Sequence, residues 1–322
     1  MMNDLFPTFA ILLQFIELVM ALVLAPLLTG WVNQCRAWLQ NRSAPPLLQP
    51  YRQIAKLFAK DVVLAQNASS LFRVAPYIVF ACMALASMIV PTLSTDLPFG
   101  PAADTIALVG IFALARVFIA LAGMDIGTAF GSLGARREML VGFLAEPALL
   151  MVFFTASLIT QSTSLSTIVE TFAQRDFVIY PSLAFAGVAF TMVSLAENAR
   201  VPVDNPTTHL ELTMIHEAMI LEYSGRHLAL IEWAAALKLY AYSCLGLALF
   251  FPWGVPQGAA LSNLLIGLPS LLLKLGIGGA LLAGIETLSA KMRIFRVPEF
   301  LGTAFMLAVL GMLLHLLLET GK

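Results

Sequence analysis

The run DTIALVGIFALARVFIALAGM, residues 104–124, indicates the fold class of this chain. Between its first and last residues it contains a single charged side chain, Arg116, and no proline. A helix needs about 20 apolar residues in succession to cross the hydrocarbon core of a bilayer. The run therefore predicts a transmembrane helix, with one cation inside it.

Other runs of similar length and composition repeat this pattern along the chain. They cover residues 8–30, 74–94, 140–160, 177–197, 229–251, 261–285 and 299–319. Of the 322 residues, 60% are hydrophobic and only 11% are charged, whereas soluble domains carry about 25% charged residues. We predict an all-α integral membrane protein: a bundle of about eight transmembrane helices with cytoplasmic amphipathic helices, in a single polytopic domain over residues 1–322.

The distribution of lysine and arginine predicts the orientation of this bundle. The loops at about residues 33–73, 125–139, 198–228 and 286–298 carry most of these cations, whereas the opposite side has only Arg175 and Lys322. Cytoplasmic loops of membrane proteins carry an excess of Lys and Arg. We expect these four loops to be cytoplasmic. An even number of spans then puts both termini outside.

The first of these loops contains RQIAKLFAKDVVL, residues 52–64. Ile54, Leu57 and Phe58 recur at helical spacing beside Arg52 and Lys56, which predicts a short amphipathic helix at the membrane interface. Such a helix is either an electrostatic anchor to anionic lipid or a docking surface for a partner.

A second loop, ENARVPVDNPTTHLELTMIHEAMILEYSGRH at residues 197–227, concentrates the ionisable side chains. Pro202 and Pro206 disfavour helix in the residues before them, and Thr207 to about Leu221 suit a helix. Carboxylates near a low-dielectric boundary have raised pKa values, and a row of them passes protons near neutral pH. The alternative is a solvated acidic loop that binds partner cations. The carboxylates and histidines concerned are Glu197, Asp204, Glu211, Glu217, Glu222, His209, His216 and His227.

Charged residues also fall within or at the ends of the apolar runs. They are Glu17, Arg116, Glu146, Glu232, Lys238, Lys274 and Glu286. Such residues are unfavourable in hydrocarbon and usually face the bundle interior or a water-filled cavity. Taken singly, each is explained by snorkelling or by a buried ion pair. Taken together, they favour a polar path through the bundle.

The sequence argues against several other chemistries. Cys35, Cys82 and Cys244 are isolated and lack metal-ligand spacing, so we expect any redox centre to sit on another subunit. His216 and Glu217 begin like the zinc motif HExxH, but Ile220 stands at its fifth position. We therefore expect no metal site. No basic stripe indicates a nucleic-acid partner.

Three segments resemble one known family over essentially the whole chain. They are RAWLQNRSAPPLLQPYRQIAKLFAKD at 36–61, GMDIGTAFGSLGARREMLVGFLAEP at 123–147, and ENARVPVDNPTTHLELTMIHEAMILEYSG at 197–225. The chain resembles the H-type membrane subunit (NADH dehydrogenase subunit 1) of respiratory complex I. It resembles still more its counterparts in energy-converting nickel–iron hydrogenases of the formate-hydrogenlyase and hydrogenase-4 kind.

This resemblance implies a membrane-anchoring and energy-coupling subunit of an oxidoreductase complex, without a catalytic centre of its own. The implied partners are hydrogenase-like large and small subunits, an iron–sulfur subunit and antiporter-like membrane subunits. Iron–sulfur clusters and a possible nickel–iron centre would lie on those partners. The implied location is a bacterial or archaeal cytoplasmic (inner) membrane. Alternatives are a quinone-chamber subunit of an NADH:quinone oxidoreductase, with quinone as ligand, and a stand-alone ion or solute transporter.

The resemblance and the charge pattern together assign candidate roles to individual residues. The proton-transfer and coupling set is Glu197, Asp204, Glu211, Glu217, Glu222, Glu146, Glu232, Lys238 and His209. The partner-docking set is Arg36, Arg42, Asp125, Arg136, Arg137 and Arg200.

Overall fold

The computed structural model describes residues 5–95, 104–174, 181–204, 214–254, 261–290 and 292–319. Its secondary structure is helical, and one isolated bridge joins Asp104 to Ser164. The helices are α1 (Leu5–Leu39), α2 (Gln49–Phe58), α3 (Ser70–Ile89), α4 (Thr105–Asp125), α5 (Ala129–Thr160), α6 (Leu165–Gln174), α7 (Pro181–Glu197), α8 (His216–Ile220), α9 (Gly225–Phe250), α10 (Leu261–Leu288) and α11 (Val297–Glu319).

The predicted membrane bundle is confirmed. Seven helices in the described residues are long and apolar enough to cross a bilayer, namely those within α1, α3, α4, α5, α9, α10 and α11. The eighth predicted span, 177–197, corresponds to α7, a shorter apolar helix of 17 residues. Residues 175–180, where that span was expected to begin, lie outside the described part of the chain.

Some helix boundaries differ from the prediction for identifiable reasons. Helix α3 ends at Ile89 instead of residue 94 because Pro91 favours the extended conformation that Val90 adopts (ψ 117°). Helix α5 begins at Ala129, so most of the loop expected at 125–139 is helical. Gly127 (φ +76°) forms the turn, and the Thr128 hydroxyl caps α5 by accepting the N–H of Gly131 at 3.3 Å. Helix α1 continues to Leu39, well into the loop expected from residue 33.

The bundle core is made of aromatic and small aliphatic side chains. Helix α3 packs against α4 and α9, α4 against α5, α1 against α9 and α10, and α11 against α5 and α7. Phe112 of α4 stacks on Tyr242 of α9, with ring centroids 4.7 Å apart, and both are fully buried. This packing brings α4, α5, α7 and α9 around one interior space.

The expected amphipathic helix is α2. It begins at Gln49, three residues before the predicted segment, and none of its residues is buried. Arg52 and Lys56 are exposed, while Phe58 meets Trp233 of α9 edge to face at 6.3 Å. Helix α2 therefore lies along the end of the bundle and presents its cations outward.

Candidate functional site

A buried ion cluster lies where α4, α5, α7 and α9 meet. Arg116 of α4 forms ion pairs with Glu146 of α5 and with Glu197 of α7, and its Nε lies 3.4 Å from Oε1 of Glu138. Lys238 of α9 places its Nζ 2.9 Å from Oε2 of Glu197. We call these five residues the Arg116 cluster. Three of its members, Glu146, Glu197 and Lys238, were predicted as coupling residues.

Burial differs among the acids of the Arg116 cluster. The side chains of Arg116 and Glu197 are 3% and 1% exposed, and that of Glu138 is 9% exposed, whereas Glu146 is 32% exposed. Gly142 of α5 leaves room for the guanidinium, since a Cβ at that position would overlap Nη1 of Arg116. The chain therefore provides a fitted space for a charge that a bilayer interior would otherwise exclude.

The charges of the Arg116 cluster do not balance. Three carboxylates face two cations. With every group ionised, the cluster carries one excess negative charge inside the bundle. Uncompensated charge is strongly unfavourable in a low-dielectric interior, so uptake of a single proton neutralises the site.

A cavity adjoins this cluster. It has a volume of about 80 Å³, and Arg116, Glu138, Glu197 and Lys238 lie in its wall. One water needs about 10–15 Å³ of such volume together with polar partners. The cavity therefore has room for several waters beside the acids.

A larger cavity opens toward the end of the bundle where α2 lies. Its volume is about 280 Å³, and Arg36, Asp204, Glu217 and Glu232 are among its lining residues. The three acids among them, Asp204, Glu217 and Glu232, were predicted as coupling residues. We call this space the α2-side cavity and the smaller one the cluster cavity. The residues Asn198, Ala199, His216, Ile231 and Ala235 line both.

The acidic loop differs from its prediction. The segment VPVD forms a turn, as expected. Helix was expected from Thr207 to about Leu221, but in the described part it covers only His216–Ile220, and residues 214 and 215 are not helical. The carboxylate of buried Asp204 accepts the backbone N–H of His216 at 3.3 Å. Ile215 precedes α8, and its side chain makes no capping hydrogen bond to that helix. The side chain is instead buried in the core.

The remaining predicted coupling residues lie elsewhere. Glu222 is exposed and follows α8 in a turn. Glu211 and His209 lie outside the described residues. Burial lowers the pKa of His216, an effect that Lys238 reinforces and that Glu138 and Asp204 oppose. His216 is therefore neutral at pH 7.

The EYSG segment joins the acidic loop to the connection between α2 and α3. Tyr223 stacks on Phe72 with centroids 3.9 Å apart and donates its hydroxyl to the Phe72 carbonyl oxygen at 2.9 Å. The Ser224 hydroxyl bonds both the N–H and the carbonyl of Val63, at 2.8 Å each. Gly225 has φ +53°, and a Cβ there would lie 2.7 Å from the Asp61 carbonyl oxygen. The segment therefore holds the α2–α3 connection in place.

Two of the predicted docking cations are engaged inside the chain. Arg36 and Arg200 reach the two carboxylate oxygens of Glu286, at 3.5 Å and 3.1 Å, and the Glu286 side chain is 1% exposed. This triad ties the end of α1, the end of α10 and the turn after α7 together.

The other members of the docking set divide into engaged and exposed residues. Arg137 donates to the carbonyl of Met214 at 2.8 Å, and Asp125 accepts the N–H of Ser69 at 2.9 Å. Arg42 and Arg136 are exposed.

Several residues of the site were absent from the predicted sets. Arg116 was noticed as a cation within a span but received no role. Glu138 lies in a segment that we expected to be a loop. His216 was passed over for His209, and Glu286 for the arginines that surround it. Among these missed residues, Arg116 had the strongest sequence signal, since it is a lone arginine in an apolar run.

The fold and the site define a class: a polytopic membrane protein with a buried ion cluster that adjoins an interior cavity. Among the described residues, no group of three His, Cys, Asp or Glu is placed to hold a metal.

The family model described as NADH dehydrogenase matches residues 11–317, and the chain therefore belongs to the NADH dehydrogenase subunit 1 (H-type) family. Formate hydrogenlyase subunit 4 of Escherichia coli K12 is 30% identical, over 94% of this chain and 97% of its own length. Hydrogenase-4 component C of the same organism is 33% identical over 92% of both chains. The H-type subunit of the NADH-quinone oxidoreductase of Rubrobacter xylanophilus is 30% identical over 72% of this chain and 71% of its own length.

A solved structure shares the fold. It is a chain of the membrane-bound sulfane sulfur reductase, an archaeal respiratory membrane complex, with a TM-score of 0.83 and 19% sequence identity, covering 94% of this chain and 98% of that one. The family model and the relatives at 30–33% identity confirm the predicted resemblance.

Proposed function

We propose that this chain is the membrane-anchoring and energy-coupling subunit of a complex I-like oxidoreductase of the formate-hydrogenlyase or hydrogenase-4 type. Its similarity to the two Escherichia coli subunits over more than nine-tenths of its length supports that type. In this role the chain holds no redox centre. It receives the hydrophilic electron-transfer subunits at the end of the bundle where α2 lies and passes energy to proton movement in the membrane.

The observation that carries this proposal is the charge imbalance of the Arg116 cluster. Three carboxylates and two cations share one buried site beside a cavity with room for water. A displacement of Arg116 or Lys238 changes the affinity of Glu197 for a proton, because a nearby cation favours the charged carboxylate. Electron transfer in a docked subunit drives proton uptake and release if it moves such a cation.

The predicted coupling and docking residues take separate places in this proposal. Glu146, Glu197 and Lys238 form the membrane part of the relay. Asp204, Glu217 and Glu232 form its entrance at the α2-side cavity. Glu222 is exposed beyond α8, and Glu211 and His209 stay predicted coupling residues outside the described part of the chain. The exposed Arg42 and Arg136 are the best placed of the docking set to meet hydrogenase-like large and small subunits.

Two measurements test the proposal. Purified in mild detergent, the tagged chain is expected to bring iron–sulfur subunits with it, whereas a stand-alone transporter would purify alone. In membrane vesicles, the complex with Glu197→Gln is expected to retain electron transfer and lose coupled proton translocation. Unchanged proton translocation per electron in that variant would refute the relay.

The topology is part of the proposal. We place both termini outside and the end of the bundle that carries α2 in the cytoplasm. Cysteine introduced at Arg42 is expected to resist a membrane-impermeant thiol reagent in intact cells, and cysteine at Gln161, an exposed residue at the opposite end of α5, is expected to react. The reverse pattern would invert the topology.

Quinone binding is a second candidate, favoured by the α2-side cavity. Ile54, Ile220 and Leu239 provide apolar lining beside the polar groups of Arg36 and Glu217. Its volume of about 280 Å³ is close to the lower limit of small-molecule pockets, about 300 Å³. A quinone-site inhibitor is expected to stop electron transfer if quinone binds there. Full electron transfer at a saturating inhibitor concentration would exclude this candidate.

A further inference from the structure

The two cavities meet at a wall that contains one group able to carry a proton. Of the five residues that line both, Asn198, Ala199, Ile231 and Ala235 have side chains that do not titrate in water. Among the described residues that line both cavities, His216 is the titratable one. Any proton that passes between the cavities through side chains in this wall meets His216.

The position of His216 is held by its backbone. Asp204 accepts its N–H at 3.3 Å, and its neighbours Ala218 and Met219 pack into the bundle. A Cβ at Gly134 of α5 would lie 2.8 Å from the Ile215 carbonyl oxygen and 2.8 Å from the Ala218 Cβ. This close approach of α8 to α5 fixes the backbone of His216 at the wall between the two cavities.

The charged groups around His216 come from several elements. Glu138 of α5, Lys238 of α9 and Asp204 of the loop act on it electrostatically. Arg116 and Glu197 share its wall of the cluster cavity, and the α2-side cavity adds the groups Arg36, Arg200, Glu217 and Glu232. The imidazole therefore has acids in the walls of both cavities.

We propose that His216 is the proton-transferring residue between the α2-side cavity and the Arg116 cluster. This inference rests on the proposed coupling function and adds the route by which protons reach the cluster.

The transfer step balances within the chain and its water. Neutral His216 accepts a proton at one ring nitrogen from a protonated carboxyl group in the wall of the α2-side cavity, Glu217 or Glu232, directly or through water. This forms an imidazolium and a carboxylate, and the carboxylate takes up a new proton from bulk solvent. The other ring nitrogen then releases its proton to the carboxylate of Glu138 or Glu197, directly or through water in the cluster cavity. Rotation of the ring restores the original tautomer. One proton moves and no electron is transferred.

The test compares two variants of nearly identical shape in the complete complex, reconstituted in vesicles. The Gln amide does not titrate in water and cannot carry a proton, whereas the Glu carboxyl group titrates and can. We expect His216→Gln to lower coupled proton translocation per electron at least about tenfold, because a positioned acid–base group contributes about 10²–10⁴-fold to proton transfer. His216→Glu is expected to restore a measurable part of it. Equal translocation by the Gln variant and the wild type would overturn the proposal, and so would equal losses in both variants.

His227→Gln is the matched control. His227 is also a buried histidine, but it packs against Tyr77 and Tyr223 and lines neither cavity. We expect this variant to translocate protons normally. Failure of both His216 variants to assemble, when the His227 variant assembles, would give His216 a structural role and overturn the proposal.

Glu197→Gln separates this inference from the function on which it rests. Coupling lost in Glu197→Gln but kept in His216→Gln refutes only the route through His216. Coupling kept in Glu197→Gln refutes the proposed function itself.

Discussion

Replacement of Arg116 by methionine tests whether the buried cluster has the energetics that its geometry indicates. Met fills much of the same space without the charge, and Glu138, Glu146 and Glu197 then lose their shared cation. Removal of one partner from a buried ion pair costs about 3–5 kcal/mol. Lys238 still lies 2.9 Å from Glu197, so we expect the lower end, about 3 kcal/mol, or roughly a hundredfold in the unfolding equilibrium.

The three acids should differ as partners of Arg116. Glu197 is 1% exposed, Glu138 9% and Glu146 32%, and water screens the most exposed of them best. Because Glu197 keeps Lys238 as a partner, Glu138→Gln should recover the most stability in the Arg116→Met background, and Glu146→Gln should recover less. The recovery occurs because a neutral amide no longer leaves an unpaired charge in the bundle.

Unfolding of the purified protein by SDS in mixed micelles, followed by circular dichroism, gives these free energies. Arg226→Met is the control, because Arg226 is an exposed cation at the start of α9, where substitutions usually change stability by less than about 0.5 kcal/mol. A loss for Arg116→Met no larger than the control would refute the reasoning. So would further destabilisation by Glu138→Gln in the Arg116→Met background.

Other substitutions test the parts of the fold that hold the site, and thermal unfolding in detergent measures each. Ser224→Ala removes two hydrogen bonds to Val63 and is expected to cost about 1–3 kcal/mol; an unchanged midpoint would contradict the joining role of EYSG. Glu286→Gln leaves Arg36 and Arg200 without their anion and should destabilise more than Glu299→Gln, an exposed control; equal effects would remove the triad from the explanation. The lowered pKa of His216 means that the unfolded chain binds the proton first, so stability should fall as pH drops below about 6.5. His216→Gln should reduce that acid slope, and an unaltered slope would show that other groups cause it.

Much of the bundle was predictable because hydrocarbon imposes a simple rule on sequence. A run such as residues 104–124 has no alternative to a helix in a bilayer, since every backbone group must be satisfied internally. The ends of the helices were harder to predict from the sequence. The polar segment around Arg136 and Glu138 was expected to be a loop, yet it forms the first turns of α5. The polar residues of this segment were interpreted as lying outside the membrane helix, whereas α5 begins directly after the turn at Gly127.

The composition of the Arg116 cluster depends on long-range packing. Lys238, Glu146 and Glu197 stood out as charges near apolar runs, but their common partner, Arg116, is separated from Glu197 by 81 positions. Spacing along the chain therefore could not pair them.

His216 shows a second limit of sequence reasoning. The helix expected over residues 207–221 contained both His209 and His216 and gave no reason to single out His216. The Asp204 contact and buried Ile215 exclude helical structure at residues 214 and 215. These are tertiary contacts, and the periodicity of apolar residues along the sequence does not predict them.

The most direct test of the coupling role is the number of protons translocated per electron by the complete complex in sealed vesicles. It requires simultaneous records of electron transfer and of internal pH, for the wild type, Glu197→Gln and the exposed control Glu299→Gln. We predict that Glu197→Gln transfers electrons but translocates at least about tenfold fewer protons, and that the control matches the wild type. An unchanged proton-to-electron ratio in Glu197→Gln would contradict a role of the Arg116 cluster in energy coupling.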